Sequence, residues 1–159
     1  MEIKLRKLDP NDWIYFSNWW RDKELIALTS GDFTLLSDQE IQKQVNEITI
    51  DKNSFHFMIK ADGKTVGHIN LNKLGNHKAE LQIVIGEKDY WGRGIGNKAA
   101  KEILNAAKQL GFQKIKIEVR PKNSRAINLY HKLGFKNLGL KKYPGNSNLP
   151  EVIMMEKEI

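Results

Sequence analysis

The spacing of apolar residues changes character several times along the chain. Glu2 to Leu8 alternates with a period of two, as a strand with one buried face does. Asp9-Pro10-Asn11-Asp12 then supplies a cap residue and an early proline, and predicts a helix carrying Trp13, Phe16 and Trp20. Ser37 and Glu40 have capping-box spacing and open a second helix with Ile41, Val45 and Ile48 on one face. Ser54 to Lys60 and Thr65 to Leu71 read as strands joined at Asp62-Gly63, a hairpin signal, and Glu80 to Ile85 as a further strand. From Gly94 to Leu110 the period is helical: Ile95, Ala99, Ile103, Ala107 and Leu110 form a stripe, Lys98, Lys101, Glu102, Asn105 and Lys108 face away, and Gly111 ends the run. Lys114 to Val119 alternates charged and branched apolar residues. A helix capped by Asn123 or Ser124 carries Ala126, Leu129, Tyr130 and Leu133 and stops at Gly134. Phe135 to Lys142 and Val152 to Glu158 are closing strands, separated by Pro144-Gly145-Asn146. Strands alternating with helices predict an α/β (mixed α+β) class, and 159 residues fit a single domain over 1–159.

Composition narrows the chemistry. With no cysteine there is no disulfide framework, no Cys-based zinc site and no thiol nucleophile. His56, His68, His77 and His131 are scattered in sequence, without the helical spacing of a metal site, so no metal is expected. No apolar run approaches the length of a membrane span, and the first residues read as a strand, which gives the expectation of a soluble, cytoplasmic protein with no membrane partner. The net charge of +7 suits an anionic partner. Because the lysines are spread rather than blocked, they argue against a nucleic-acid arm and fit a small molecule carrying several phosphates.

Tyr90-Trp91-Gly92-Arg93-Gly94-Ile95-Gly96-Asn97 follows a strand and opens the long helix. A helix N-terminus offers free N–H groups and the positive end of the dipole. Glycines let the backbone approach a ligand and adopt positive φ, and Arg93 adds a cation. A Walker loop needs Gly-Lys-Ser/Thr, which Gly96-Asn97-Lys98 lacks. Gly94-Ile95-Gly96-Asn97-Lys98-Ala99 fits the dinucleotide pattern G-x-G-x-x-A, with Glu118 at a tolerable distance. Its glycines, however, should follow the strand directly, and here Gly86 to Gly92 intervene.

Trp91-Gly92-Arg93-Gly94-Ile95-Gly96 also resembles the pyrophosphate loop of the GNAT superfamily of N-acetyltransferases, Q/R-x-x-G-x-G/A, with Trp91 departing from the usual Gln or Arg. In motif style it is similar to the ribosomal-protein N-terminal and polyamine acetyltransferase branch. Asn123, Ala126, Leu129-Tyr130, Lys132 and Gly134-Phe135 resemble that family's N-x-x-A-x-x-L-Y-x-K-x-G-F segment, in the expected order and one strand later. The resemblance implies a mostly antiparallel sheet of six to seven strands, splayed between the fourth and fifth, with about four flanking helices. It implies acetyl-coenzyme A as cosubstrate. The pantetheine arm would lie along the backbone of Ile83, Val84 and Ile85, and the pyrophosphate on Gly92, Arg93, Gly94, Ile95, Gly96 and Asn97. Asn123, Ala126, Tyr130 and Lys132 would flank the arm. A homodimer is compatible with it.

The implied reaction is direct attack of an amine on the thioester, which needs no cysteine. Backbone N–H groups of the splayed strand, at Ile85 for example, would steady the developing oxyanion. From spacing alone Tyr130 reads as a core tyrosine, whereas the motif match makes it the acid for the departing thiolate. A lysine-like amine, with a pKa near ~10.4, is neutral in only about one molecule in 2,500 at pH 7, so a base is expected. Glu80 resembles the strand glutamate that serves some family members, and it also reads as a strand-end surface charge. Gln82 faces the same side and would orient water or substrate. Trp20 and Asp32 are candidates for the acceptor site, in the segments Trp19 to Asp22, Gly31 to Phe33 and Tyr143 to Asn148. A protein N-terminus, a polyamine, an amino sugar and an aminoglycoside remain open as acceptors. So do two rival functions: a dinucleotide-dependent oxidoreductase, and a non-enzyme that is either an inactive coenzyme-binding sensor or a basic nucleic-acid-binding module.

Overall fold

Two tight hairpins build the antiparallel half of the sheet. Asp62 and Gly63 take φ of 47° and 83° and join β2 (Ser54–Ala61) to β3 (Lys64–Gly75). Asn76 and His77, at φ 50° and 58°, join β3 to β4 (Lys78–Ile85). The first turn is the one the Asp-Gly pair predicts. The second has no glycine at either left-handed position and is not visible as a hairpin in the sequence.

The computed structural model describes residues 1–159. The remaining elements are β1 (Ile3–Lys7), α1 (Trp13–Trp19), α2 (Lys23–Leu28), α3 (Asp38–Ile50), α4 (Ile95–Gln109), β5 (Lys114–Val119), α5 (Ser124–Lys132), β6 (Lys136–Lys142) and β7 (Glu151–Glu158). The strands form one sheet in the order β1-β2-β3-β4-β5-β7-β6. Every neighbouring pair is antiparallel except β4 and β5, which run parallel on either side of the α4 crossover.

Five helices stand where about four were expected. The extra one, α2, has only six residues, too few for a periodic signal, and is fixed by Asp22, whose side chain accepts from the amides of Glu24 and Leu25. The first helix is shorter than its sequence suggests. Pro10–Asp12 forms a separate 3₁₀ turn with its own capping box, and Trp20 is the C-cap of α1.

The sheet separates two cores. On one face α4 presses Ile95, Ala99, Ala100, Ile103 and Ala107 against Ile69, Leu71, Leu81, Ile115 and Ile117, with Tyr130 of α5 in the same cluster. Leu110, the expected end of the α4 stripe, is exposed: the helix closes there and Gly111 turns the chain away at φ 88°. On the other face Phe16, Trp19, Leu25, Ile41 and Val45 pack against Met58. α4 covers one face of β4, the second cluster reaches only Val84 on the other, and part of its edge is left open.

Candidate active site

β4 and β5 pair at only three positions, Lys78 with Lys114, Ala79 with Ile115 and Glu80 with Lys116. Beyond Glu80, β4 continues to Ile85 along β3, and β5 continues to Val119 along β7, so a wedge opens between them. The backbone direction within it follows from alternation. Gly86 donates its amide to Val66 on the β3 side, so Val84 faces β3 as well, while Ile83 and Ile85 turn their N–H and C=O groups into the wedge. The Ile85 carbonyl is already engaged there, accepting from Trp91 Nε1 at 2.7 Å. Of the three implicated strand residues, Ile83 and Ile85 offer backbone groups, and Val84 contributes only wall.

The wedge leads to the start of α4. Gly92 and Gly94 hold φ of 74° and 76°, conformations costly for a side-chain-bearing residue, and no side chain caps the helix. Its first N–H groups are therefore left to a ligand. A cleft of about 450 Å³ joins these parts. It is lined by Ile83, Val84, Ile85, Gly92, Gly94, Ile95, Gly96, Asn97, Asn123, Ala126, Tyr130 and Lys132 among others. Arg93, expected on the pyrophosphate, does not line it; its guanidinium lies 5.1 Å from the centre of the Tyr90 ring. Trp91 and Arg125 do line it, and the Arg125 guanidinium sits 3.6 Å over the Trp91 ring. Sequence reading passed over Arg125, an exposed residue that only the packing of α5 beside the loop brings to the cleft.

Tyr130 has both attributes that its two readings required. It is 4% exposed with its ring edge-on to Phe135, and it also lines the cleft. Burial alone raises the pKa of its phenol, so the hydroxyl keeps its proton. Asn123 caps α5 through the Ala126 amide and also donates to the Leu28 carbonyl at 3.4 Å, tying α5 to the end of α2.

Comparison with known proteins fits this geometry. The sequence profile of the acetyltransferase (GNAT) family matches residues 13–135. The chain belongs to the GNAT family. It is 34% identical over 89 residues to the spermidine N(1)-acetyltransferase of Escherichia coli, an overlap of 54% of this chain and 47% of that protein. It is 31% identical over 86 residues to the N-alpha-acetyltransferase RimI of Mycobacterium tuberculosis, covering 52% of each. The chain thus spans about half the length of these curated relatives. The crystal structure of spermidine N-acetyltransferase from Vibrio cholerae in complex with CoA and spermine superposes with a TM-score of 0.86 at 22% identity, over 98% of this chain and 95% of that one. The match extends to the sheet: a mostly antiparallel sheet with one short parallel pair is the GNAT arrangement, and it removes the dinucleotide-binding reading, which needs consecutive parallel strands.

On the α1–α3 face of this GNAT domain, polar residues gather beyond the wedge. Glu80 accepts from Gln82 Nε2 at 3.0 Å. Its carboxyl is pushed above the ordinary range by burial and then by the charge of Glu118 on β5. Glu118 itself is held below that range: burial opposes its ionisation, but the Tyr143 hydroxyl and Lys116 outweigh it. A second cleft of about 550 Å³ lies between the Ser30–Asp32 loop and Tyr143–Asn148, two of the three segments singled out from the sequence. Arg120, missed in the sequence, joins these loops. It is 9% exposed and donates to the carbonyls of Thr29 and Ser30 on one side and Leu149 and Glu151 on the other. Asp32 lines this cleft. Trp20 lines neither, and packs on Phe16 at a ring distance of 4.9 Å. Its neighbour Trp19 is buried over Gly86, where a Cβ would collide with the indole, and donates to Glu87. The first-helix tryptophans are therefore packing residues.

Proposed function

We propose that the chain is an acetyl-coenzyme A-dependent N-acetyltransferase that moves the acetyl group to a primary amine. The observation that carries the reading is the wedge between β4 and β5, which opens directly onto the uncapped, glycine-rich start of α4. An extended pantetheine arm would add to the Ile83 and Ile85 edge as a strand does. The pyrophosphate would take the first N–H groups of α4, with Arg125 and Lys132 as nearby cations. Bound there, the coenzyme supplies the activated thioester.

The chain's own residues supply the rest. The wedge backbone orients the thioester, Glu80 receives the amine's proton directly or through water, and Tyr130 donates a proton toward sulfur. The Ile85 N–H steadies charge on the carbonyl oxygen. The acceptor would enter between the Ser30–Asp32 and Tyr143–Asn148 loops, with Asp32 and Gln82 as polar contacts.

The test is thiol release from acetyl-coenzyme A with a panel of spermidine, a tripeptide with a free α-amine, glucosamine and an aminoglycoside. At least one amine should give saturable release matched by N-acetyl product. Tight coenzyme binding with no turnover on any amine would make the chain a sensor. A thermal shift with NAD or an oligonucleotide, and none with coenzyme A, would overturn the reading.

A further inference from the structure

Glu118 stands between the two parts of the site. On one side it accepts the Tyr143 hydroxyl, at 2.6 and 2.7 Å to its two oxygens, and Tyr143 begins the loop that walls the second cleft. On the other side it lies two residues beyond Lys116, the last β5 residue paired to β4, and that partner is Glu80. With a period of two, Glu80, Lys116 and Glu118 share one face of the sheet, Glu118 lying just past the point where the strands part. Lys116 Nζ and Lys141 Nζ approach it at 3.1 and 3.4 Å.

We propose that Glu118 is a positioning residue for the acetyl transfer: one carboxylate latches the acceptor loop through Tyr143 and, by its charge across the strand gap, keeps Glu80 ready to take the amine's proton. The inference rests on Glu80 as the base of the proposed activity. A carboxylate with no like charge nearby ionises low and holds protons weakly, whereas a fixed negative neighbour raises its affinity for a proton. Two carboxyls whose surroundings push them apart divide the work, one staying ionised and one exchanging protons. Here the partners decide which is which. Glu118 has two lysines and a phenol; Glu80 has the Gln82 amide.

The groups on the Glu80 side of the sheet are Lys78 and Gln82 on β4, Asn70 and Asn72 on β3, Lys114, Lys116 and Glu118 on β5, Lys141 on β6, Tyr143 just after it, and Glu156 and Glu158 on β7. Lys78 and Lys114 are both paired with Glu156. Removing the charge of Glu118 leaves Lys116 and Lys141 facing Glu80 unopposed, so both consequences lower its proton affinity.

Two substitutions separate the two duties. Glu118→Gln keeps an acceptor for the Tyr143 hydroxyl and removes the charge; Tyr143→Phe keeps the charge and removes the bond. The Glu80 carboxyl is followed by carbon NMR titration, loop order by amide hydrogen exchange at residues 145–149, and the acid limb of kcat/KM with whichever panel amine turns over fastest. Glu118→Gln should lower the Glu80 midpoint, and with it the acid limb, by about one pH unit. Tyr143→Phe should leave that midpoint within about 0.3 units and speed loop exchange by about tenfold, with a matching rise in the acceptor's KM against an unchanged kcat. An unmoved midpoint in Glu118→Gln, or unchanged loop exchange in Tyr143→Phe, overturns the proposal, and neither result depends on turnover. Failure of the base reading has a separate signature: Glu80→Gln would keep the wild-type acid limb while the titration still responded to Glu118→Gln.

Discussion

The indole of Trp91 donates its Nε1 hydrogen to the Ile85 carbonyl at 2.7 Å, and so occupies one of the backbone groups that the splayed edge of β4 would otherwise leave free. At this position the family pattern has Gln or Arg. The tryptophan replaces a flexible polar side chain with a rigid donor that closes the end of the strand and gives Arg125 a surface to stack on. Trp91→Phe keeps an aromatic ring under Arg125 and removes the donor. An orphaned carbonyl at a partly buried site costs about 1 kcal/mol, so the variant should lose about that much stability in urea denaturation, with the fold intact by circular dichroism. Unchanged stability would mean that the Ile85 carbonyl finds water without penalty.

The loop glycines make a second prediction. A Cβ at Gly96 would come 3.2 Å from Leu129 Cδ2, on the wall of the cleft beside the start of α4. Gly96→Val brings two methyl groups to that contact and to the first turn of α4. Coenzyme affinity should drop by more than about tenfold while thermal stability changes little, because the added atoms enter the cleft and not the core. A folded variant with wild-type affinity removes this loop from the site.

For Tyr130, the raised phenol pKa limits what it can do. Full transfer to a thiolate whose thiol ionises near ~8.5 runs uphill, so assistance is partial. Tyr130→Phe should therefore lower kcat by about tenfold, at the weak end of general-acid effects, with coenzyme affinity within a few-fold. The deficit should shrink with an acyl donor whose leaving thiol is more acidic. Wild-type turnover at saturating coenzyme would leave Tyr130 as a packing residue.

His68 makes a stability prediction. It is half-buried against Phe16, with its Nε2 3.0 Å from His56 Nδ1. Burial first, and the proximity of His56 second, lower its pKa to about 3. The folded state thus refuses a proton that the unfolded chain accepts near pH 6.5. The stability this confers is complete above that pH and is lost as pH falls toward 3. Between pH 7 and pH 5, above most carboxylate titrations, the loss should be about 2 kcal/mol. Urea denaturation at the two pH values checks it, and His68→Gln should flatten the difference. A wild-type midpoint that does not move would show that His68 titrates normally in solution.

What could be read in advance was written in residues close together in the chain. The Asp62-Gly63 turn, the Ser37–Glu40 capping box and the α4 stripe each depend on neighbours within about one helical turn or one hairpin, where backbone preference and side-chain period act directly. The glycine loop before α4 belongs with them: Gly92 and Gly94 take positive φ because only glycine does so without strain, and that requirement is visible in the sequence itself. The Arg93 side chain lies against the Tyr90 ring, a direction that a charge next to a loop does not encode. Trp20 and Trp19 were ambiguous for a similar reason, since adjacent helical residues diverge and only the packed sheet decided which was buried.

Other parts of the molecule were decided by contacts that no local rule encodes. His56 and His68 are 12 residues apart, Tyr143 and Glu118 are 25 apart, and Arg120 reaches Thr29 across 91. The sequence by itself determined four of the five helices, the strands and the glycine-rich, uncapped start of α4, because those follow from period, capping and backbone freedom. Tertiary structure decided where β4 and β5 part, which loops Arg120 brings together and which of two glutamates holds its proton more readily. Those outcomes depend on burial and on the distances between charges, and both exist only once distant segments have packed.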